Sequence, residues 1–348
     1  MRILITGNMG YIGPVLAKHL RDKFPDATLV GVDRGWFASN LSDPSRLPEV
    51  VLDEQRFMDV RDLTAEDMKG FDAVVALAAI SNDAMGKRFE LVTDEINCKA
   101  VLSTAEAASK AGVKNFVFAS SCSVYGAAAD GSARSETSAI APQTAYAHSK
   151  IDTEVGLAKI DTDMTITSFR FATACGASPR LRLDLVLNDF VAGAVANGKV
   201  EVLSDGTPWR PLIHTRDMSR AIEWGITRSA DNGGRNLVVN AGSDKWNVQV
   251  RDLANAVGAA IPGSVVTIAT DAPADNRSYR VDFSLFEKLA PDHQPIETLD
   301  GTIADLRDKF IASGFNDKNF RQSGFIRLKI LNALVDDGIL LPDLRLAA

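Results

Sequence analysis

With 348 residues, 46% of them apolar, the chain has length for one large α/β unit or two closely joined domains and material for a substantial core. A net charge of −7 with no long basic run gives no electrostatic ground for a nucleic-acid or anionic-membrane partner. Cys98, Cys122 and Cys175 are far apart and the four histidines stand singly, so reduced thiols and no metal are expected.

The first segment, Met1-Arg2-Ile3-Leu4-Ile5-Thr6, enters an apolar strand without a charged leader or long apolar stretch, and the cytoplasm is the expected location. The strand breaks at Gly7-Asn8-Met9-Gly10-Tyr11-Ile12-Gly13, and Val15, Leu16 and Leu20 then fall at helical spacing. Strand, glycine turn and helix in that order suit a dinucleotide: Gly7 permits the turn, Gly10 admits a pyrophosphate, and Gly13 packs the helix closely, with Tyr11 and Ile12 between them in the same loop. Residues 28–32 read as the second strand, closed by Asp33, an acid placed for the ribose hydroxyls of NAD. Its charge opposes the 2′-phosphate of NADP, which the neighbouring Arg34 leaves open as the alternative cofactor.

Residues 55–58 and 73–76 read as further strands, with Asp59-Val60 and Ala78-Ala79 at the ends where an open parallel sheet presents its ligand. A helix is expected over 93–111, with Asn97 inside it, and then a strand over 115–119 that delivers Ser121. Residues 130–142 read as a surface loop. A helix over 145–160, read from Ile151, Val155 and Ala158, places Tyr146 and Lys150 one turn apart. A free phenol titrates near ~10, and a nearby ammonium lowers that value, so Tyr146 is the candidate general base and Ser121 the group that steadies the substrate oxygen.

A sixth strand is expected over 165–170, after which strict alternation loosens into a smaller second lobe. In that lobe Arg210, in Trp209-Arg210-Pro211-Leu212-Ile213-His214, and Arg277, in Asn276-Arg277-Ser278-Tyr279-Arg280, are candidates to clamp a diphosphate. Beyond about residue 314, Phe325, Leu328, Ile330, Leu331 and Leu334 suggest an amphipathic helix packed on the body or a partner, too short and too charged to be a membrane span.

Together these motifs resemble the extended short-chain dehydrogenase/reductases, specifically the nucleotide-sugar epimerase/dehydratase family, over residues 1–310. The resemblance implies a Rossmann-type doubly wound α/β fold: an NAD-binding domain over 1–175, a partly interleaved substrate lobe over 176–313 and a helical tail over 314–348. It makes Asp33, Asp59 and Val60 adenosine contacts and puts Asn97 near the nicotinamide. Ser121, Tyr146 and Lys150 become the catalytic triad, with Lys150 also on the nicotinamide ribose. Ser123, Asn188, Arg210 and Arg277 fall on the nucleotide-sugar side.

The 4,6-dehydratases of this family carry Asp-Glu directly after the serine or threonine, where this chain has Cys122 and Ser123, so elimination lacks its usual residues. What remains is a 4-epimerase, or a reductase of a 4-keto nucleotide sugar; a non-catalytic dinucleotide sensor predicts a degraded triad, and this one is intact. The family also implies a homodimer through helices near 93–111 and 145–160.

Overall fold

Seven strands, all paired in parallel, form the main sheet of the computed structural model, which describes residues 1–127, 131–269 and 278–347. They are β1 (Arg2–Thr6), β2 (Thr28–Asp33), β3 (Glu54–Phe57), β4 (Ala73–Ala76), β5 (Asn115–Ser121), β6 (Thr165–Phe171) and β7 (Asn236–Ala241), in the order β7-β6-β5-β4-β1-β2-β3. Ile3, Leu4, Ile5, Val74 and Val75 are fully buried, as continuous apolar strands must be when helices cover both faces. The chain runs outward from β1 to β3 and then returns to β4, so a crevice opens beyond the carboxyl ends of β1 and β4. The fold class expected from sequence is the one observed.

The six expected strands lie within two residues of their predicted bounds; β7 was not anticipated. It comes after several second-lobe elements and pairs with β6 from Asn236↔Ile166 to Ala241↔Phe171, so the first lobe is completed by a returning segment.

The expected helix over 145–160 is Ala145–Leu157, capped by Thr144, whose hydroxyl accepts the Ala147 N–H at 3.1 Å. Its buried face differs from the one that Ile151, Val155 and Ala158 suggested. Val155 is 49% exposed, while Ser149, Lys150, Thr153 and Glu154 point inward with Ala147 and Leu157. Polar groups can occupy that face because each finds a partner there; Glu154, for example, takes three bonds from Arg170 at 2.7 to 3.2 Å and one from the Ser120 hydroxyl.

The expected helix over 93–111 is in three parts: Glu90–Asp94, a wide π turn over Glu95–Lys99, and Ala100–Lys110. Asn97 sits within the wide turn, a feature that often marks functional places in helices.

A second core gathers Leu187, Phe190, Val191, Leu212, Leu253, Ile303 and Phe310 from helices Val186–Asn197, Val250–Ala260 and Leu299–Ala312 and strand Trp209–His214. The tail helix, Arg327–Asp336, returns to the first lobe and buries Leu331 against Ile80, Met85 and Phe89. Beyond it Arg345 forks onto Asp62 at 2.9 and 3.0 Å, and Arg61 donates to the Asp343 carbonyl at 2.9 Å. Among the described residues no helix is long and apolar enough to cross a membrane.

Candidate active site

A cleft of about 960 Å³ runs over the carboxyl ends of β1, β4 and β5 and into the second lobe. At one end is the glycine loop. Gly7 has φ +72°, and a Cβ there would stand 2.5 Å from the Ala78 nitrogen; at Gly13 it would stand 2.2 Å from the Asn8 carbonyl oxygen. The loop is therefore pressed onto its surroundings, which leaves its outer side open to the cleft. The helix Gly13–Lys23 has no side-chain cap at Ile12, so first-turn N–H groups remain as donors for an anion.

Asp33 closes β2 beside that loop and lines the cleft. Its carboxylate accepts the N–H groups of Met9 at 3.0 Å and Gly35 at 2.7 Å; burial pushes its pKa up, against the pull of those two bonds. Gly10, Tyr11, Ile12, Val60, Ala78 and Ala79 line the same cleft. A glycine loop pressed onto the Ala78 and Asn8 backbone, uncapped helix donors and an acid at the end of β2 together fit a dinucleotide such as NAD.

Asp59 also lines the cleft, but its side chain is engaged: Arg61 holds it at 2.7 to 3.0 Å. Burial works against the charge, yet those bonds keep the Asp59 carboxyl below its ordinary value. Its effect on a ligand passes through the shape of residues 59–61.

At the middle of the cleft β5 delivers Ser121 and the helix Ala145–Leu157 delivers Tyr146 and Lys150. Ser121 and Tyr146 are hydrogen-bonded, and the Ser121 hydroxyl also accepts the Ser123 N–H at 3.1 Å. Lys150 is 3% exposed, donates to the Ala119 carbonyl at 2.7 Å and lies 5.4 Å from the centre of the Tyr146 ring.

The electrostatics correct the expectation that Lys150 sets a low pKa for Tyr146. Burial dominates and pushes the phenol up to about 12, with the Ser121 hydrogen bond opposing it. Burial also pushes Lys150 down to about 7, against the raising influence of Glu154. The folded protein thus binds fewer protons at Lys150 than the unfolded chain does between pH 7 and about 10, the ordinary lysine range. Its penalty is full below pH 7 and fades as pH rises, so the Lys150 contribution should raise the melting temperature across that window. Lys150→Met should flatten that rise when melting is followed by calorimetry at successive pH values; an unchanged slope would show that Lys150 is not the group responsible.

Asn97 and Asn188, both expected beside a ligand, are bonded within the protein behind the cleft. Asn97 is fully buried: its carbonyl oxygen accepts the Ile80 N–H at 2.8 Å, and its amide donates to the Ile80 carbonyl at 3.0 Å and the Ser149 hydroxyl at 3.1 Å. It therefore ties the loop after β4 to the helix carrying Tyr146. Asn188 is fully buried too and bridges Gly176, the Tyr11 hydroxyl and the Arg182 carbonyl. Tyr11 turns its hydroxyl inward to the Gly176 carbonyl and lines the cleft with the rest of the residue.

Arg210 and Ser123 do line the cleft; the Ser123 hydroxyl has no partner among the described residues. Arg277 lies outside the described residues. The sequence reading passed over Arg182, Asp184, Arg321 and Arg327, all of which line the cleft. Arg182 forks onto Asp184 at 2.9 Å and donates to the Ser81 hydroxyl at 2.8 Å. The Arg-x-Asp spacing of 182 and 184 was a visible, if faint, signal; the tail residues gave none, because they return to the site from far along the chain.

Comparison with known proteins gives the same picture. The model of the family described as "NAD dependent epimerase/dehydratase family" matches residues 3–242. The chain is similar to the UDP-glucose 4-epimerase of Corynebacterium glutamicum, 27% identical over 297 residues that cover 79% of this chain and 86% of that protein. It is also similar to the dTDP-glucose 4,6-dehydratase of Streptomyces griseus, 26% identical over 311 residues covering 87% of this chain and 92% of that one. Among solved structures, MoeE5 in complex with UDP-glucose and NAD superposes with a TM-score of 0.73 at 26% identity, covering 90% of this chain and 99% of that one.

Proposed function

The chain belongs to the NAD dependent epimerase/dehydratase family, and from that premise we propose that it is a nucleotide-sugar 4-epimerase working by transient oxidation at the sugar C4 hydroxyl. The observation that carries the reading is the meeting of Ser121, Tyr146 and Lys150 in one cleft with no carboxylate at 122 or 123. Cys122 is 1% exposed, donates its thiol to the Arg170 carbonyl, and has its pKa pushed up by burial, so it offers no acid or base for removing water. The similarity to the Corynebacterium 4-epimerase and to MoeE5, solved with UDP-glucose and NAD, points the same way.

In this reading Tyr146 takes the proton of the sugar hydroxyl, and Ser121 shares a hydrogen bond with that oxygen as charge develops. NAD, when bound, supplies the hydride acceptor, which later serves as donor, and a positive ring. Lys150, held by the Ala119 carbonyl, keeps a buried amine beside the phenol and would hold the nicotinamide ribose of the bound cofactor. Ser123 and Arg210 serve the sugar nucleotide from the second-lobe side of the cleft.

The proposed division of labour is residues 1–175 for cofactor and chemistry, 176–313 for substrate, and 314–348 as a strap across them. A homodimer is part of the proposal, since Leu91 is 81% and Val155 49% exposed on the two packed helical segments that a second copy would cover. The cytoplasm is the proposed location.

Protein purified without added cofactor and given a panel of sugar nucleotides with no reductant should convert one of them into its 4-epimer, with NAD retained. Turnover that requires NADH and a 4-keto sugar would overturn the epimerase in favour of a reductase.

A further inference from the structure

Arg327 opens the tail helix and is 1% exposed. Its guanidinium carbon stands 4.1 Å from the centre of the Phe37 ring, and Nη2 donates to the Arg180 carbonyl at 3.0 Å. Nη1 is buried with no partner among the described residues. Burying a guanidinium that is not fully paired is costly, and such a group persists where a ligand completes it.

Its neighbours do not complete it. Glu49 is bound by Arg180 at 2.8 Å, and Asp184 by Arg182 at 2.9 Å and by the Asn82 amide at 2.8 Å. Asp33 is bonded to the N–H groups of Met9 and Gly35. Arg180 and Arg182 repel Arg327, whereas Asp184 and Asp33 attract it. Burial, reinforced by Arg182, pushes it down to about 9, so it remains a cation at neutral pH.

Arg327 lines the same cleft as Gly10, Tyr11 and Ile12. We propose that Arg327 reaches from the C-terminal segment to the diphosphate of the bound dinucleotide, on the side facing away from the glycine loop. The glycine loop then supplies neutral N–H donors and the tail supplies the charge. The proposal rests on the dinucleotide site read above and is independent of which sugar reaction follows.

The test is calorimetric titration of the full chain, stripped of nucleotide, with ADP, adenosine and UDP, for wild type and Arg327→Gln. A charge-assisted contact of this kind predicts that ADP binds about 10- to 100-fold more weakly to the variant. Adenosine and UDP should change by less than about 2-fold, given that neither carries this diphosphate into the dinucleotide site. Unchanged ADP affinity overturns the proposal. Parallel losses for ADP and adenosine would make Arg327 a structural prop, and a loss confined to UDP would move it to the substrate diphosphate; either overturns it as well. Arg327→Met keeps an unbranched side chain without the charge and serves if the glutamine variant does not fold. Wild-type chain that turns over no sugar nucleotide, while ADP binding is still lost in the variant, would count against the proposed function and leave this inference standing.

Discussion

Replacing Tyr146 with phenylalanine should lower kcat by roughly 10²- to 10⁴-fold, the range for a positioned acid–base group, and leave bound NAD and the melting temperature nearly as in wild type. Nothing but the hydroxyl is removed, and the ring keeps its place beside Lys150. Ser121 still accepts the Ser123 N–H, so its oxygen keeps a partner. Turnover within about 5-fold of wild type would mean that the proton leaves by another group. The phenol's pKa of about 12 adds a second readout. A phenol held that high is ionised in a fraction that grows with pH, so activity should rise with pH through the neutral range rather than fall.

The largest loss of stability should come from Glu154→Ala. Glu154 is 5% exposed on the helix that carries the triad tyrosine and lysine, and it is bonded to Arg170 of β6 and to Ser120 of β5. Arg170 in turn donates to the Tyr125 hydroxyl at 3.0 Å, which donates to Asn240 of β7 at 2.7 Å. One carboxylate thus pins the catalytic helix to three strands. Its removal leaves a buried guanidinium without its counter-charge, a change that costs about 3–5 kcal/mol. A fall in melting temperature of about 4–7 °C follows for a chain of this size. A fall smaller than about 2 °C would show that the network relaxes around the gap. Because Glu154 also raises the Lys150 pKa, the variant should shift the pH dependence of melting to lower pH.

Much of the first lobe could be read from the chain because its signals are local. The run Arg2–Thr6, the three glycines and Asp33 are set by backbone sterics and strand ends that operate within a few residues. The meeting of Ser121, Tyr146 and Lys150 in one cleft was legible for the same reason: Tyr146 and Lys150 are one helical turn apart, and Ser121 ends a strand. What escaped depends on contacts distant in sequence. The internal partners of Asn97 and Asn188 are one case, because side-chain direction cannot be read from residue identity and is fixed here by Ile80, Ser149 and Gly176. The Tyr146 electrostatics were misjudged because proximity to Lys150 was legible while burial of both groups was not. The strand β7 and the tail arginines could not be placed by periodicity, since each joins its partners only after the intervening lobe has folded.

The tail's return to the first lobe bears on how the protein is made. Residues 7–33 leave the ribosome early, whereas Arg327, Asp343 and Arg345 follow roughly 300 residues later, on the order of 15–60 s at usual elongation rates. Throughout that interval the nascent chain carries a dinucleotide cradle lacking its far wall. On the Arg327 proposal, tight cofactor capture waits until synthesis is nearly finished, and a chain ended before Arg327 should bind dinucleotide more weakly than the full one.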